Sequence, residues 1–296
     1  MEYIIETRSL TKKYGDKRAV DKISLHVKKG DIYGLIGKNG AGKTTLMKLL
    51  LGLTYANDGE MKLFESSALD NERKRIGSLI ESPAFYKNET AFENLKRFAI
   101  LSPTTDEEIH NILKLVRLDN TGKKKVGAFS FGMKQRLGIA LALIGKPELL
   151  ILDEPINGLD PSGIKEIRDI ILDLNAQGVT FLISSHLLDE LGKIATNYGI
   201  VANGKLVEEI TSAELDEKCR TSLKITVDDA KKATTVITKK YPEMLLENTD
   251  NIIRIISEVE DSSILVEMLV KKGIKVYEVR NEIQHLEDFF IERMGK

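Results

Sequence analysis

The sequence predicts an α/β core that carries an inserted helical subdomain, followed by a small carboxyl-terminal α+β domain. Between residues 4 and 210, short apolar strands such as residues 32–36, 149–152 and 180–184 alternate with helical stretches. This alternation favours a largely parallel sheet covered by helices on both faces. Helical periodicity is concentrated in one block of this region, which predicts the inserted subdomain. The chain of 296 residues is about twice as long as a typical single domain, which predicts a further domain.

The inserted block extends over about residues 83–127. Within it, residues 91–101 and 106–118 repeat apolar side chains every three to four positions, the spacing that places them on one face of a helix. Strands of the core lie before and after this block. We therefore predict a helical subdomain inside a core domain of residues 1–210.

The rest of the chain, residues 211–296, predicts a small α+β accessory domain. Its predicted strands and helices are residues 223–227, 252–256 and 274–279, and residues 229–240, 262–272 and 284–294, respectively. The motifs described below all lie before this region, so we expect the chemistry to belong to the first domain.

The charge balance argues against a nucleic-acid partner. The chain has 44 Lys and Arg against 45 Asp and Glu, a formal net charge of −1. Proteins that bind the phosphate backbone carry a basic face or stripe, and this composition predicts none.

The composition also predicts a cytoplasmic chain. A single cysteine, Cys219, excludes an internal disulfide framework and a structural zinc or iron–sulfur site. The first ten residues carry Glu2, Glu6 and Arg8, unlike a secretory signal. The longest apolar runs fall far short of the roughly 18 residues that a membrane helix needs. We expect any work at a membrane to be done through a partner.

A complete P-loop pattern follows the predicted strand at residues 32–36 and precedes a helical run that begins at Thr45. Its residues are Gly37, Lys38, Asn39, Gly40, Ala41, Gly42, Lys43 and Thr44. Glycines let backbone N–H groups surround phosphate oxygens, and the helix start adds partial positive charge. Lys43 reaches the β- and γ-phosphates and Thr44 ligates Mg²⁺, so ATP and Mg²⁺ are the predicted ligands. A glycine-rich turn without a ligand is the alternative, which the full pattern after a strand disfavours.

Two adjacent carboxylates, Asp153 and Glu154, follow the apolar strand at residues 149–152. Ligands of open α/β sheets bind at the carboxyl edge, so Asp153 is predicted to hold the Mg²⁺ shell beside the P-loop. Glu154 is the candidate to accept a proton from the attacking water. Taken alone, the pair before Pro155 also fits a helix start, and the P-loop shifts the balance towards catalysis.

A histidine reaches the same predicted edge. The strand at residues 180–184 is followed by Ser185 and His186, which places the imidazole where it can hydrogen-bond a γ-phosphate or orient the water. A lone histidine more often has a structural role. The neighbouring motifs favour the catalytic interpretation.

Residues 129–136, Phe-Ser-Phe-Gly-Met-Lys-Gln-Arg, resemble the signature sequence of ABC ATPases. With the P-loop, the carboxylate pair, residues 158–160 and His186, they form that family's motif set in its usual order over residues 2–210. The resemblance implies a P-loop NTPase core. It also implies that Ser130 and Gly132 complete the γ-phosphate site of a second ABC ATPase subunit, so that two ATP molecules lie between two cassettes of a homodimer or heterodimer.

Further residues match the family position by position. Tyr14 corresponds to the aromatic residue that stacks on adenine, and Asp160 to the acidic residue that senses the opposite site. Glu81 stands where the family usually has glutamine, which brings a carboxylate near Mg²⁺ and the attacking water. That departure resembles the branch serving lantibiotic immunity and bacitracin-type resistance. Phe131 and Met133 also depart from the usual signature.

The resemblance implies an ATP-hydrolysing subunit that powers export of a peptide antibiotic or lantibiotic-like compound. Transport would use a separate transmembrane permease docked near residues 81–86, with this chain peripheral on the inner face of the cell membrane. Residues 286–290 resemble the endings of such ATPases, although an amphipathic closing helix explains them equally well. An ATP-dependent sensing or regulatory protein is the alternative function; roles in DNA repair or on ribosomes fit the composition poorly.

Overall fold

A computed structural model describes residues 2–81, 84–102, 104–218, 221–255, 259, 261–283, 289, 290 and 293. The chain divides into two compact units, Met1–Ser212 with Phe290–Lys296, and Ala213–Phe289. Cys219, position 83 at the start of the predicted helical subdomain, and residues 286–288 lie outside the described residues. So does most of the predicted helix at residues 284–294.

The strands of the first unit fall in two sheets. They are β1 (Tyr3–Tyr14), β2 (Lys17–Ile23), β3 (His26–Lys28), β4 (Ile32–Ile36), β5 (Asp58–Leu63), β6 (Ile76–Leu79), β7 (Leu149–Asp153), β8 (Thr180–Ser185), β9 (Asn197–Ala202) and β10 (Lys205–Thr211). The helices that begin in this unit are α1 (Lys43–Leu50), α2 (Leu69–Glu72), α3 (Ala91–Phe98), α4 (Asp106–Leu115), α5 (Phe131–Ala142), α6 (Pro161–Ala176), α7 (Leu188–Leu191) and α8 (Ser212–Lys218).

The six-stranded sheet has the order β10-β9-β4-β8-β7-β6, and its strands run parallel from β9 to β6. Every residue of β4, β7 and β8 is buried, as expected for central strands of a sheet covered on both faces. The prediction of an α/β core with a largely parallel sheet is confirmed. The register pairs Ile36 with Ser185 and Asp153 with Ser184, so the three carboxyl ends meet at one edge.

The second sheet is antiparallel and was missed by the sequence analysis. It has the order β2-β1-β3, with β5 also pairing with β1. The 12 residues of β1 do not alternate regularly between buried and exposed, and its pairings contain register shifts. Because each shift moves side chains to the other face, the period-two pattern that identifies a strand is lost.

The helical subdomain contains α3, α4 and α5. Thr90 and Thr105 each accept a hydrogen bond from the backbone N–H three residues later and begin α3 and α4 with complete capping boxes. The predicted helical ends at residues 101 and 118 are too late. A 3-10 turn, Ala99–Leu101, replaces the last part of α3, and Arg117 adopts φ 58°, which an α-helix does not allow.

The second unit contains a four-stranded antiparallel sheet with one helical layer. Its elements are β11 (Thr221–Val227), α9 (Ala230–Lys240), β12 (Leu246–Thr249), β13 (Ile252–Ile255), α10 (Ser262–Lys271) and β14 (Val276–Ile283). The sheet order β12-β13-β11-β14 gives the split βαβ arrangement of ferredoxin-like folds. The strand predicted at residues 274–279 begins two residues and ends four residues before β14. β12 was missed because its residues are mostly exposed.

Replacing Thr7 with valine is expected to destabilise the first unit by about 1–3 kcal/mol. Thr7 is 1% exposed, and its hydroxyl accepts a hydrogen bond from the backbone N–H of buried Leu25 at 2.8 Å. Valine keeps the shape and leaves that donor unpaired. Urea denaturation measures the change. Thr121→Val, in a partly exposed turn, is the control and should change the free energy of unfolding by less than about 0.5 kcal/mol; equal effects would contradict the prediction.

Candidate active site

The P-loop conformation requires glycine at two positions for steric reasons. A Cβ added to Gly37 would lie 2.4 Å from the carbonyl oxygen of Val201. Gly42 has φ 112°, and its Cβ would lie 2.3 Å from the carbonyl oxygen of Ala19. The loop runs directly into α1, whose N-terminal position is Gly42 and therefore has no side-chain cap. The first backbone N–H groups of α1 are left to a ligand, which suits an anion.

Lys43 is held in the middle of the loop. Its side chain is almost fully buried, and its ammonium donates a hydrogen bond to the carbonyl oxygen of Gly37 at 2.6 Å. The same nitrogen lies 3.4 Å from Oε1 of Glu154. A buried cation that is anchored by the loop backbone is positioned before any phosphate arrives.

Asp153 ends β7 and connects that strand to the P-loop helix. Its carboxylate accepts a hydrogen bond from the Thr44 hydroxyl at 2.7 Å and another from the Ser184 hydroxyl at 2.5 Å. Asp153 is 9% exposed. Mg²⁺ prefers oxygen ligands in fixed geometry, so the adjoining oxygens of Thr44 and Asp153 fit such an ion together with phosphate oxygens. The structure brings these two predicted metal residues together.

Glu154 adopts a backbone conformation that is rare for a residue with a side chain. Its φ is 50°, and its backbone N–H donates to the Ser184 hydroxyl at 2.9 Å. The left-handed turn directs the Glu154 carboxylate away from that of Asp153, although the two residues are adjacent. Strained backbone of this kind is found at functional sites, where the surrounding structure maintains it.

The Glu154 carboxylate lies between a cation and an imidazole. Oε2 is 2.8 Å from Nδ1 of His186, and Oε1 is buried 3.4 Å from the ammonium of Lys43. Among the described residues, no group donates a hydrogen bond to Oε1. Glu154, His186 and Lys43, the three predicted catalytic residues, therefore lie in one contact chain. An oxygen with remaining acceptor capacity is what a general base needs.

The cavity beside the P-loop has a volume of about 320 Å³. Its lining combines predicted residues with two that were not predicted, Lys17 and Ala19; the predicted ones are Tyr14, Lys38, Asn39, Gly40, Ala41, Gly42, Lys43, Thr44, Thr45 and Glu154. Tyr14 is 53% exposed, and the Lys12 ammonium lies 5.0 Å from the centre of its ring. The ring is therefore accessible for stacking at the mouth of the cavity.

The signature residues lie outside the lining of this cavity. Ser130 is exposed and caps α5 by accepting a hydrogen bond from the N–H of Met133 at 3.2 Å. A Cβ added to Gly132 would meet nothing closer than Leu159 at 3.5 Å. Packing within the chain therefore does not require glycine there. Phe131 is 53% exposed, contrary to the usual place of a phenylalanine.

Asp160 has a local structural role in this chain. It caps α6, and hydrogen bonds from the Ser162 hydroxyl and the Gly163 N–H hold the pKa of Asp160 below its usual value. Its carboxylate is thus fixed in its charged form at the start of a helix. Its predicted sensing of an opposite site remains a prediction.

Glu81 is placed differently from the other predicted metal residues. Its side chain is 68% exposed and accepts a hydrogen bond from the Lys48 ammonium at 2.8 Å. That bond lowers the pKa of Glu81 and raises that of Lys48. Glu81 also has φ 62°. The described contacts join it to Lys48 and not to Thr44 or Asp153, so its role near Mg²⁺ remains a prediction.

Ser184 is the important residue that the sequence analysis missed. It links both carboxylates, because its hydroxyl donates to Asp153 and accepts from the Glu154 N–H. The signal was its register: a polar residue at the end of the buried strand β8, next to the strand that ends in Asp153.

Within the described ranges, no cluster of three or more His, Cys, Asp or Glu can hold a metal ion.

Comparison with known proteins gives consistent matches. Residues 20–157 match the family model described as ABC transporter. A bacitracin transport ATP-binding protein, BcrA of Bacillus licheniformis, is 42% identical over 100% of this chain and 98% of its own length. A lantibiotic transport ATP-binding protein, SrtF of Streptococcus pyogenes, is 42% identical over 70% of this chain and 90% of its own length.

A solved structure shows the same fold. It is the ADP conformation of an ATP-binding cassette of an ABC transporter, which is 28% identical and superposes with a TM-score of 0.67 over 72% of this chain and 92% of its own. In the part of the chain that the structure describes, no helix is long and apolar enough to cross a membrane.

Replacing Ser184 with alanine is expected to lower the rate of ATP hydrolysis by about 10- to 100-fold, as for other groups that orient metal ligands. The change removes one hydrogen bond from Asp153 and one from the Glu154 backbone. Phosphate release as a function of Mg²⁺ concentration measures it, with a higher Mg²⁺ requirement expected. Ser185→Ala is the matched control, because the buried Ser185 hydroxyl accepts a hydrogen bond from the Leu187 N–H and, among the described residues, is not hydrogen-bonded to Asp153 or Glu154. Similar losses in both variants would contradict the prediction.

Proposed function

Because this chain belongs to the ABC transporter family of ATP-binding proteins and is an ATPase of that family, we propose that it powers export of a peptide antibiotic or lantibiotic-like compound through a separate membrane permease. The observation that carries the hydrolytic part is the Glu154 carboxylate, held between Lys43 and His186 beside the P-loop. The substrate class is supported by the relatives named for bacitracin and lantibiotic transport.

The proposed reaction is ATP + H₂O → ADP + Pi. Water attacks the γ-phosphorus in line with the bond to the β–γ bridging oxygen, which breaks. Glu154 accepts the proton of that water, and His186 holds the carboxylate in place through the 2.8 Å contact. Lys43 and the first N–H groups of α1 bind phosphate oxygens. Thr44 and Asp153 would hold Mg²⁺, which would supply positive charge to the transferring phosphoryl group when it is bound.

We further propose that the site is completed by a second ABC ATPase subunit, in a homodimer or a heterodimer. Ser130 and Gly132 lie outside the cavity of their own chain, and Ser130 is an exposed residue at the N-terminus of α5. Gly132 would allow close approach of a phosphate from another molecule, because it has no side chain and, within this chain, a Cβ there would meet only Leu159, at 3.5 Å. Asp160 would act across the same dimer.

An apolar groove supports the proposed permease contact near residues 81–86. It has a volume of about 520 Å³ and extends between β6, α3 and α5; its lining includes Leu53, Ile76, Leu79, Ile80, Ala84, Phe98 and Leu141. Tyr86 and Ile100 add exposed apolar surface nearby, at 51% and 82% exposure. Contiguous apolar surface of this kind fits a protein partner. The chain would then be cytoplasmic and peripheral on the inner face of the membrane, without a nucleic-acid partner.

The regulatory alternative, in which the chain senses a drug without driving transport, has no observation in its favour among the described contacts or the relatives. The P-loop site of this chain instead contains the residues that the proposed hydrolysis uses, Lys43, Asp153, Glu154 and His186. The two relatives above are named for transport.

Replacing Glu154 with glutamine is expected to reduce phosphate release by about 10²- to 10⁴-fold, because the amide keeps the shape but accepts no proton. The variant should still bind ATP and should accumulate as an ATP-bound dimer, measured by gel filtration with light scattering. Ser130→Ala in the same background is expected to weaken that dimer. Hydrolysis at the wild-type rate in Glu154→Gln would show that Glu154 is not the base.

Export is tested in vesicles that contain the cognate permease with this ATPase on the outer, ATP-accessible side. A bacitracin-type peptide is expected to accumulate inside the vesicles only with ATP, permease and the wild-type chain together, since the outer face then corresponds to the cytoplasm. The matched control is the Glu154→Gln chain, which binds the permease without turnover. ATP-driven movement of peptide out of such vesicles would mean import and would overturn the proposed direction.

A further inference from the structure

The two edge strands of the second unit differ in length and exposure. β12 has four residues, too few to offer a long ladder of backbone groups. β14 has eight residues, from Val276 to Ile283, and pairs with β11 alone among the described residues. An exposed edge strand of this length is a template for another strand unless proline, bulges or lysines block it.

The outer edge of β14 carries none of these blocking features along most of its length. The pairs from Thr226 with Glu278 to Thr221 with Ile283 are regular. The register shift lies at the start of the strand, where Tyr277 is the extra residue between the pairs of Val276 and Glu278. The strand contains neither proline nor lysine. Tyr277 is 65% exposed, so this part of the edge is accessible to another molecule. The backbone of β14 can therefore accept a further strand.

The charges of β14 are self-complementary about Val279. Glu278 and Arg280 flank it on one face of the sheet; their side chains are 48% and 51% exposed and form an ion pair within the chain, 3.6 Å apart. If two copies of β14 pair antiparallel with Val279 opposite Val279, Glu278 of each chain lies opposite Arg280 of the other. Opposite charges at directly paired positions stabilise a sheet, and like charges destabilise it.

Neighbouring registers are disfavoured by the same side chains. A shift that keeps each face in common would place Glu278 opposite Glu278, or Arg280 opposite Arg280. A shift by one residue would turn the helical layers of the two units to opposite faces and break the match of apolar and polar sides. Within each chain, Arg280 lies opposite Lys224 of β11 and beside Glu278 of its own strand, and the proposed pairing adds a carboxylate of the second copy on its outer side.

We infer that β14 is an interaction surface for a second copy of this chain: two second units join edge to edge through antiparallel β14 strands centred on Val279, forming one continuous eight-stranded sheet. The contact is isologous, with the same residues on both sides of a two-fold axis. It is separate from the ATP site and brings two copies together without nucleotide. It therefore favours a homodimer of this ATPase over a pairing with a different cassette.

Cysteine crosslinking of the full chain tests the register. In a Cys219→Ser background, one preparation carries Val279→Cys and the other Asn281→Cys, because the proposed pairing puts position 279 directly opposite its own copy. The two Cβ atoms at position 279 would be about 5 Å apart, whereas the two at position 281 would be about 13 Å apart along the strand. A short bismaleimide, without nucleotide and with ATP, should link the Val279→Cys preparation about tenfold more than the Asn281→Cys preparation. Equal yields in the two preparations would overturn the proposal.

Charge reversal tests the pairing by a second route. Glu278→Arg added to the Val279→Cys chain places two arginines opposite each other at two sites and should lower crosslinking about tenfold. The double change Glu278→Arg with Arg280→Glu restores opposite charges in every pair and should recover the yield. Recovery also shows that the single variant lost pairing rather than folding. Unchanged crosslinking in Glu278→Arg, or no recovery in the double variant, would contradict the inference.

Discussion

The parallel pairing of β4, β8 and β7 is the constraint on which the active site depends. Their register sets Ile36 beside Ser185 and Asp153 beside Ser184, so the loop after β4 and the carboxylates after β7 meet at one edge. Each strand is buried throughout, and burial on both faces prevents it from slipping in register. A phosphate-binding loop, a metal ligand and a base come together because three apolar strands end at the same level.

The left-handed backbone of Glu154 lets the carboxylates of Asp153 and Glu154 face different groups, although the two residues are adjacent. Asp153 continues the extended strand and faces Thr44, whereas Glu154 turns at φ 50° towards Lys43 and His186. Ser184 bonds both residues and maintains the turn. In the proposed reaction, the two acids thereby serve different atoms: Asp153 would hold the metal and Glu154 would receive a proton.

Three surfaces outside the P-loop cavity are suited to contacts with other molecules. The signature loop is exposed and its glycine meets no packing restraint, the groove beside β6 is apolar, and β14 has an open, self-complementary edge. In each proposed contact, this chain supplies one of the two surfaces and another protein molecule supplies the other. Phosphate chemistry, permease contact and self-association thus use separate surfaces, and the first two belong to the unit that contains the P-loop.

The sequence by itself determined the α/β class and the P-loop, and it predicted roles for Asp153, Glu154 and His186, because these depend on residue type, local spacing and apolar runs. It did not show the sheet formed by β1, whose register shifts erase the alternating pattern, or β12, which is almost wholly exposed. Nor did it show Ser184 as the link between the carboxylates, the Lys48 partner of Glu81 or the open edge of β14. Only the tertiary structure decided those, because each depends on which distant strand or helix lies alongside, and no local pattern in the chain encodes that neighbour.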